Sequence, residues 1–359
     1  MKQKVVVGMS GGVDSSVAAY LLKEKGYDVT GVTMNIWQAA DMDFQDQEGS
    51  CCGLSAAEDA RRVAAQLDIP YYVMNFRQEF QTNVIDYFVS EYRQGRTPNP
   101  CIACNRFVKW ESLLQRSLAI GADYIATGHY AKLVQLKSGR LAVRQSEAVK
   151  KDQTYALYSL TQDQLRHTLF PVGEYTKEQV REIALKAGLD VADKPDSQEI
   201  CFVPDHDYAG FISRETGQED QPGSFVTADG TVLGQHKGIS HYTVGQRKGL
   251  GIAFGKPVFV TKIRPDTKEV VIGSNDDLMT AELTAEHMNY MAAQRFEPGQ
   301  RMTAKIRYSH QGEGCTVTSV SQDAGRISVR FDQPVRAVTP GQAAVFYQDG
   351  CVLGGGIIV

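Results

Sequence analysis

Val5-Val6-Val7-Gly8-Met9-Ser10-Gly11-Gly12-Val13-Asp14-Ser15-Ser16 decides how the chain folds. Three consecutive β-branched residues, Val5 to Val7, predict a short strand buried on both faces. A turn of small residues follows. From Val17 to Lys25 helix formers dominate, and Val17, Leu21 and Leu22 are spaced to share one buried face. Strand, small-residue loop and helix in this order aim backbone N–H groups and the positive end of a helix at an anion. Gly11 and Gly12 remove side chains where a phosphate would approach, and Ser10, Ser15 and Ser16 add hydroxyl donors. Glycine and serine alone are equally compatible with an ordinary turn of an α/β domain.

The complete Ser10-Gly11-Gly12-Val13-Asp14-Ser15 string is more specific. It lacks the Lys-Ser/Thr ending of a Walker loop and the Gly-x-Gly-x-x-Gly spacing of a dinucleotide fold. It resembles the PP-loop of the ATP pyrophosphatases, whose members adenylate a carbonyl oxygen and release pyrophosphate.

Outward from this stretch, strand-like and helix-like segments alternate. Val29 to Met34 reads as a second strand, Ser55 to Gln66 as a helix, and Tyr71 to Met74 as a third strand. Phe80 to Arg93 and Phe107 to Leu118 read as helices, and Tyr124 to Ala126 as a fourth strand ending in Thr127-Gly128-His129-Tyr130. The alternation predicts a doubly wound parallel sheet, and the PP-loop resemblance implies that it is of the adenine nucleotide alpha-hydrolase-like type. Ligands of such sheets sit beyond the C-terminal strand ends, so Gly8 to Ser15, Met34 and Gly128-His129 are expected around one crevice. Leu141 to Gln145 reads as a short strand, Lys177 to Ala187 as a helix closed by Gly188, and Tyr208 to Thr216 as a short helix.

From Pro222 onward the texture changes to strand-length runs separated by Gly or Asp-Gly turns, among them Val258–Ile263, Glu269–Ile272, Arg301–Tyr308, Gly314–Val320, Arg326–Phe331, Ala343–Tyr347 and Cys351–Leu353. Asp349-Gly350 is a hairpin turn. The expected architecture is an α/β doubly wound parallel sheet (residues 1–204), a small middle module (205–277) and a C-terminal antiparallel β-barrel (278–359).

The 359 residues suffice for two or three domains, and 42% apolar with 22% charged residues is the balance of a soluble globular chain. No run approaches the roughly 18 apolar residues of a membrane span. Met1 to Lys4 leads into the first strand without a signal-peptide pattern, so a cytoplasmic protein is expected. Seven cysteines, an odd number, argue for thiol chemistry or metal binding rather than a disulfide framework. The net charge of −4 does not advertise nucleic acid. Locally, Lys237, Arg247, Lys248, Lys256, Lys262 and Arg264 form one acid-poor basic stretch, and Arg93, Arg96, Arg106 and Lys109 another. Each reads equally as a basic track for a polyanion or as solvated surface.

Three cysteines stand out. Cys101 and Cys104 form a Cys-x-x-Cys pair after two prolines and ahead of a helix, a setting that lowers thiol pKa. Cys201 lies in a polar loop. Half a metal site, for the pair, and a small buried hydrophobe, for Cys201, are the alternatives. Cys315 and Cys351 alternate within strand patterns and are expected in the core.

Several blocks together resemble the tRNA-specific 2-thiouridylase family: the PP-loop, Gly95-Arg96-Thr97-Pro98-Asn99-Pro100, Cys104-Asn105, Ala126 to Tyr130, Lys151-Asp152-Gln153, Asp196-Ser197, Ile200-Cys201-Phe202, Thr243 to Gly251, Val338 to Gln342 and Leu353 to Ile358. The match runs in order along nearly the whole chain. Argininosuccinate synthase shares a similar ATP grip, but the cysteine pair and the Gln246-Arg247-Lys248-Gly249 block do not fit it.

The resemblance implies ATP and Mg²⁺ as cofactors, with Gly8, Met9, Ser10, Gly11, Gly12, Val13, Asp14 and Ser15 on the phosphates and Met34 and Gly128 at the adenosine. It implies a tRNA substrate with uridine at position 34, whose C2 oxygen is adenylated. Cys201 would carry sulfur as a persulfide loaded by a sulfur donor protein. Cys104 would free it, and a thiol reductant would reset the resulting Cys104–Cys201 disulfide. Asn99, Pro100, Cys101, His129, Lys151, Asp152, Gln153, Arg307, Tyr308 and Gln342 would contact tRNA or the target base.

One departure stands out: Cys101 occupies a position where family members commonly carry aspartate. The third thiol opens an alternative, a [4Fe-4S] cluster held by Cys101, Cys104 and Cys201 whose fourth iron binds the transferable sulfide. Two other functions compete. A small-metabolite ligase explains the N-terminal loop but leaves Cys104 and Cys201 idle. A non-catalytic RNA-binding protein leaves the intact PP-loop string without a use.

Overall fold

A computed structural model describes residues 2–36, 54–192, 194, 200–251, 255, 257–321 and 325–359. The acidic stretch from Asp41 to Glu48, Cys51-Cys52, Asp196-Ser197 and Lys256 lie outside the described residues. The chain forms two compact units: Met1–Val84, Cys101–His206 and Asp349–Val352 make the first, and Ile85–Pro100, Asp207–Gln348 and Leu353–Val359 the second.

In the first unit, β1 (Lys4–Gly8), β2 (Asp28–Asn35), β3 (Tyr71–Asn75), β4 (Tyr124–Ala126) and β7 (Thr168–Leu169) build a parallel sheet in the order β3-β2-β1-β4-β7. Val5, Val6 and Val7 are all 2% exposed or less, as a strand covered on both faces requires. Helix α1 (Val13–Glu24) packs Val13, Val17, Ala18 and Leu22 into the core beside α2 (Leu54–Gln66) and the helix Lys177–Lys186. The strand order reverses between β1 and β4, so the loops after these strands face one crevice. A hairpin of β5 (Lys132–Gln135) and β6 (Leu141–Arg144) belongs to the same unit, where Cys351 pairs with Arg144. Of these elements, β5 and β7 were not expected from the sequence: one is four residues long and the other two, too short to show a period.

The cysteine pair opens a helix that differs from the expected one. A turn at Pro100–Ala103 runs into a π-helical segment, Cys104–Leu113, and then into Leu114–Ala119. The helix therefore begins ahead of Phe107, and the wider π geometry starts at Cys104. Such insertions concentrate at functional sites.

In the second unit, β8 (Gly223–Val226), β9 (Val232–His236), β10 (Phe259–Arg264) and β11 (Glu269–Gly273) form a four-stranded sheet in the order β10-β11-β8-β9. It packs over Phe225, Tyr242, Val260 and Val270. Helix Tyr208–Thr216 has its expected bounds and ends at Gly217 in the left-handed region (φ 62°). The next six strands are β12 (Met279–Tyr290), β13 (Arg301–Lys305), β14 (Glu313–Ser321), β15 (Arg326–Arg336), β16 (Ala343–Gln348) and β17 (Cys351–Ile358). They run antiparallel in the order β12-β15-β14-β13-β16-β17, and β12 pairs with β17 to close a barrel. Its core includes Phe296, Phe346, Val317, Val329 and Cys315. Cys315 is fully buried as expected, whereas Cys351, at the start of β17, is only half-buried. The alternation was right for a strand, but Cys351 is its first residue, directly after the Asp349-Gly350 turn, and lies at the end of the ladder rather than over the core.

Candidate nucleotide and thiol site

The loop after β1 leads into a helix whose N-terminus carries no side-chain cap. Helix α1 starts at Gly12 with no side-chain cap, so its first N–H groups have no competing partner from a side chain. The hydroxyls of Ser10 and Ser15 lie 3.4 Å apart, and Ser15 and Ser16 donate to the Gly12 carbonyl at 3.1 and 2.9 Å. Gly11 is left-handed (φ 67°), and a Cβ there would come within 2.2 Å of the Ala56 carbonyl oxygen. A Cβ on Gly128 would meet the Ser15 nitrogen at 2.6 Å. Both glycines thus serve close backbone packing around the start of α1, and Gly128 brings the loop after β4 against it. Met9 donates its N–H to Val32 at 2.8 Å and accepts from the Thr33 hydroxyl at 2.7 Å, which locks the loop to β2. Met34, two residues further along β2, is buried.

Asp14 lies in the first turn of α1, where a carboxylate is stabilised by the helix dipole. The Tyr130 hydroxyl donates to it at 2.6 Å, and the Lys177 ammonium donates to both its oxygens, at 2.7 and 2.9 Å. Lys194 donates to the Gly11 carbonyl at 3.2 Å and to Asp59 of α2 at 2.5 Å. Lys177 and Lys194 were not among the candidate site residues of the sequence, and Tyr130 was quoted there only within the Ala126 to Tyr130 block, with no role of its own. They stand 116 to 183 positions away from their loop partners, so no local pattern links them to it.

This donor set fits a polyphosphate with its metal. The first N–H groups of α1 have no side-chain cap, and the Asp14 carboxylate, held here by Lys177 and Tyr130, is the group a hard cation would take over.

Around the loop after β4, Gln153 and Tyr130 are joined by backbone and side chain, and the His129 ring packs 5.6 Å from Trp110 and 6.3 Å from Phe170. Burial, and secondarily the Lys109 ammonium, hold the His129 imidazole well below its ordinary pKa of 6.5. It is therefore neutral at neutral pH, with Nδ1 in a 2.7 Å hydrogen bond to the Thr127 hydroxyl. Asp152 is buried and accepts from Thr154 at 2.7 Å, so it shapes this loop from within. Lys151 beside it is half-buried.

Cys101 is exposed, while Cys104 and Cys201 are half-buried. Both Cys104 and Cys201 are tied to the short helix Arg77–Phe80. Phe202 packs its ring edge-on against Phe80 at 5.8 Å, and Arg77–Phe80 packs against the Cys104–Leu113 segment. Cys201 is flanked by anchors, Lys194 upstream and the buried Phe202 and Val203 downstream. Among the described residues no group of three or more His, Cys, Asp or Glu is placed to hold a metal ion, so Cys101, Cys104 and Cys201 do not stand as a ready cluster site.

The remaining expected tRNA contacts belong to the second unit. Gln342 donates from Nε2 to the Thr97 carbonyl at 2.9 Å, and Thr97 donates its N–H to Pro340 at 2.8 Å. The segment carrying Asn99 and Pro100 is thereby strapped to the turn before β16. Arg307 donates to the Arg336 carbonyl at 3.0 Å, and Tyr308 is 47% exposed. The two basic stretches are partly neutralised: Arg96 pairs with Glu91 at 2.9 Å and Arg264 with Glu269 at 3.0 Å.

A parallel α/β sheet with an uncapped helix after its first strand, a small β module and a closed barrel is the three-part architecture of a class of tRNA-modifying enzymes, as the comparisons show. Residues 3–205 match the family described as tRNA methyl transferase HUP domain, 209–274 the tRNA methyl transferase PRC-barrel domain, and 280–358 the aminomethyltransferase beta-barrel domain. The chain is 67% identical over 357 residues to "tRNA-specific 2-thiouridylase MnmA" of Lachnoclostridium phytofermentans, covering 99% of each. It is 56% identical to the protein of the same name from Clostridium perfringens, covering 99% of this chain and 98% of that one. With "tRNA-specific 2-thiouridylase MnmA 1" of Clostridium botulinum strain Loch Maree it shares 54% identity over 100% and 99% of the two chains. The chain belongs to the tRNA-specific 2-thiouridylase family. No helix among the described residues is long and apolar enough to cross a membrane.

Proposed function

We propose that this chain is a tRNA-uridine 2-sulfurtransferase that converts uridine 34 of tRNA to 2-thiouridine at the expense of ATP. The observation that carries the reading is the uncapped start of α1 with Asp14 in its first turn, in the same unit as two thiols anchored to one short helix. The relatives' shared name supports the substrate.

The C2 oxygen of uracil is a poor leaving group. Gly8 to Ser15 would hold the ATP phosphates through N–H and hydroxyl groups, and Asp14 would hold the Mg²⁺, which would offset phosphate charge as pyrophosphate leaves. Attack of the C2 oxygen on the α-phosphorus expels pyrophosphate and leaves an O-adenylate. Met34 and Gly128 border the adenosine.

Sulfur reaches Cys201 as a persulfide from a donor protein. The Cys104 thiolate attacks Cys201 Sγ, the persulfide S–S bond breaks, and hydrosulfide leaves with its electron pair. Hydrosulfide adds to C2, AMP departs with the C–O bonding electrons, and loss of a proton gives the thiocarbonyl. Two electrons from a dithiol reductant return the Cys104–Cys201 disulfide to thiols. Asn99, Pro100, Cys101, His129, Lys151, Gln153, Arg307, Tyr308 and Gln342 serve the tRNA, with the exposed Tyr308 ring suited to stack on a base and Asp152 holding the loop from inside. Residues 1–204 do the chemistry, and 205–277 and 278–359 grip the RNA.

The test is reconstitution with tRNA, Mg·ATP, a persulfide donor and dithiothreitol, followed by mass spectrometry of the nucleosides. One 2-thiouridine per tRNA with stoichiometric AMP and pyrophosphate is expected. Cys201→Ala should abolish thiolation while pyrophosphate release persists. Thiolation unaffected by that change sinks the persulfide route.

A further inference from the structure

Lys177 is an unusual lysine. It is 9% exposed and opens the helix Lys177–Lys186, the end at which the helix dipole disfavours a cation. Its own helix does not explain it, because the Thr176–Gln179 capping box already satisfies that terminus. Its ammonium is sent instead across to α1, where it spans both oxygens of Asp14 at 2.7 and 2.9 Å. It also lies 5.7 Å from the centre of the Tyr130 ring, whose hydroxyl donates to the same carboxylate.

Both oxygens of Asp14 are thus engaged by a resident cation, and one of them by a phenol hydroxyl as well. A divalent ion and an ammonium cannot both hold this carboxylate in the same way. Asp14 is partly exposed, while the Lys177 side chain is nearly covered, so the carboxylate is the more open of the two to an incoming ion.

We propose that Lys177 is a positioning residue of the nucleotide site: it is the exchangeable counter-ion of Asp14, holding the carboxylate in place without nucleotide and yielding it when Mg·ATP arrives. The displaced ammonium then stays beside the Gly8–Ser15 loop, where it offsets phosphate charge. The exchange makes metal binding depend on the nucleotide: the metal alone must displace Lys177 without offering it a new anion, whereas Mg·ATP supplies one. This rests on reading the loop as the ATP site.

The test compares the full-length wild type with Lys177→Met and Lys177→Arg. The probe without nucleotide is Mn²⁺ alone, followed by electron paramagnetic resonance. The second measurement is Mg·ATP binding by equilibrium dialysis. Removing a close opposing charge should raise Mn²⁺ affinity of K177M about tenfold and weaken Mg·ATP by about tenfold. K177R, which keeps the charge, should stay near wild type in both. Thermal unfolding of each variant separates these shifts from misfolding, and K177R carries the test if K177M does not fold: a rise in its nucleotide-free Mn²⁺ affinity overturns the proposal. If K177M folds and matches wild type in Mn²⁺ and Mg·ATP binding, the proposal falls while the ATP reading stands. A wild type that binds no Mg·ATP overturns both.

Discussion

Gln153 and Tyr130 hold each other by two hydrogen bonds. The Tyr130 N–H donates to Gln153 Oε1 at 2.9 Å, and the Gln153 N–H donates to the Tyr130 carbonyl at 3.1 Å. Tyr130 in turn donates its hydroxyl to Asp14. One residue therefore joins the Lys151–Gln153 loop to the start of α1. Gln153→Ala should remove only the side-chain bond, at a cost of about 1–2 kcal/mol with the Tyr130 N–H left without its acceptor. Gln153→Glu keeps the acceptor and should unfold near the wild-type temperature. In tRNA thiolation, Q153A should raise KM for tRNA more than KM for ATP. Equal effects on both would place Gln153 in support of the nucleotide loop alone.

Gly128 and Gly8 should respond oppositely to the same substitution. A Cβ on Gly128 meets backbone atoms of Asp14 and Ser15 at 2.6 to 2.7 Å, whereas on Gly8 the nearest atoms are 3.8 Å away. Gly128→Ala forces the loop after β4 off α1 and should cost about 1–3 kcal/mol as overpacking does. Gly8→Ala should unfold within about 0.5 kcal/mol of wild type. Denaturant unfolding of the two variants reads the difference directly.

His129 makes stability depend on pH. Its folded-state pKa lies well below 6.5 because the half-buried ring, packed against Trp110 and Phe170, is desolvated. The unfolded chain therefore takes up a proton as pH falls through 6.5 while the folded chain does not, and stability drops. The contribution is fully present above that pH. Below it, at most about 1.4 kcal/mol is lost per pH unit until the folded-state pKa is reached. His236 and His310 are also shifted down by burial, so the measurement is the difference between wild type and His129→Asn. The variant should lose less stability between pH 7 and pH 5 than the wild type. Identical slopes would mean that the ring is solvated.

The thiols should divide by reactivity. Cys315 is fully buried in the barrel, where burial, with Asp332 adding to it, pushes its pKa up to about 12. Iodoacetamide near neutral pH should leave it untouched until the protein unfolds. Cys101 is exposed and should be alkylated in the native protein. Peptide mapping before and after denaturation checks both.

The sheet could be read from Val5–Val7 and the alternation that follows, because fully buried parallel strands are nearly all apolar. The bounds of Tyr124–Ala126 and Tyr208–Thr216 agree with the structure for a different reason: turn residues close each of them. The strand β12 escaped notice. Its twelve residues mix Glu282, Glu286, His287 and Asn289 among apolar ones, and irregularities between Thr280 and Glu282 and between Glu286 and Asn289 break the two-residue period. His287 is even left-handed (φ 53°) at the second of these. In the candidate site, the glycines and hydroxyls of the loop were legible because they are contiguous. Lys177 and Lys194 were not, since each reaches its partner only through the fold. Lys177 had one faint signal, a basic residue at the helix end that prefers acids.

The pairing of β12 with β17 has a consequence for how this molecule meets other chains. Among the described residues β12 and β17 hydrogen-bond to each other, so neither offers its flank over that stretch to an extended peptide or a sister molecule. The ladder continues from β17 at Cys351 into the β6–β5 hairpin, so strand addition from another chain would have to begin at β5 rather than on the barrel's own seam.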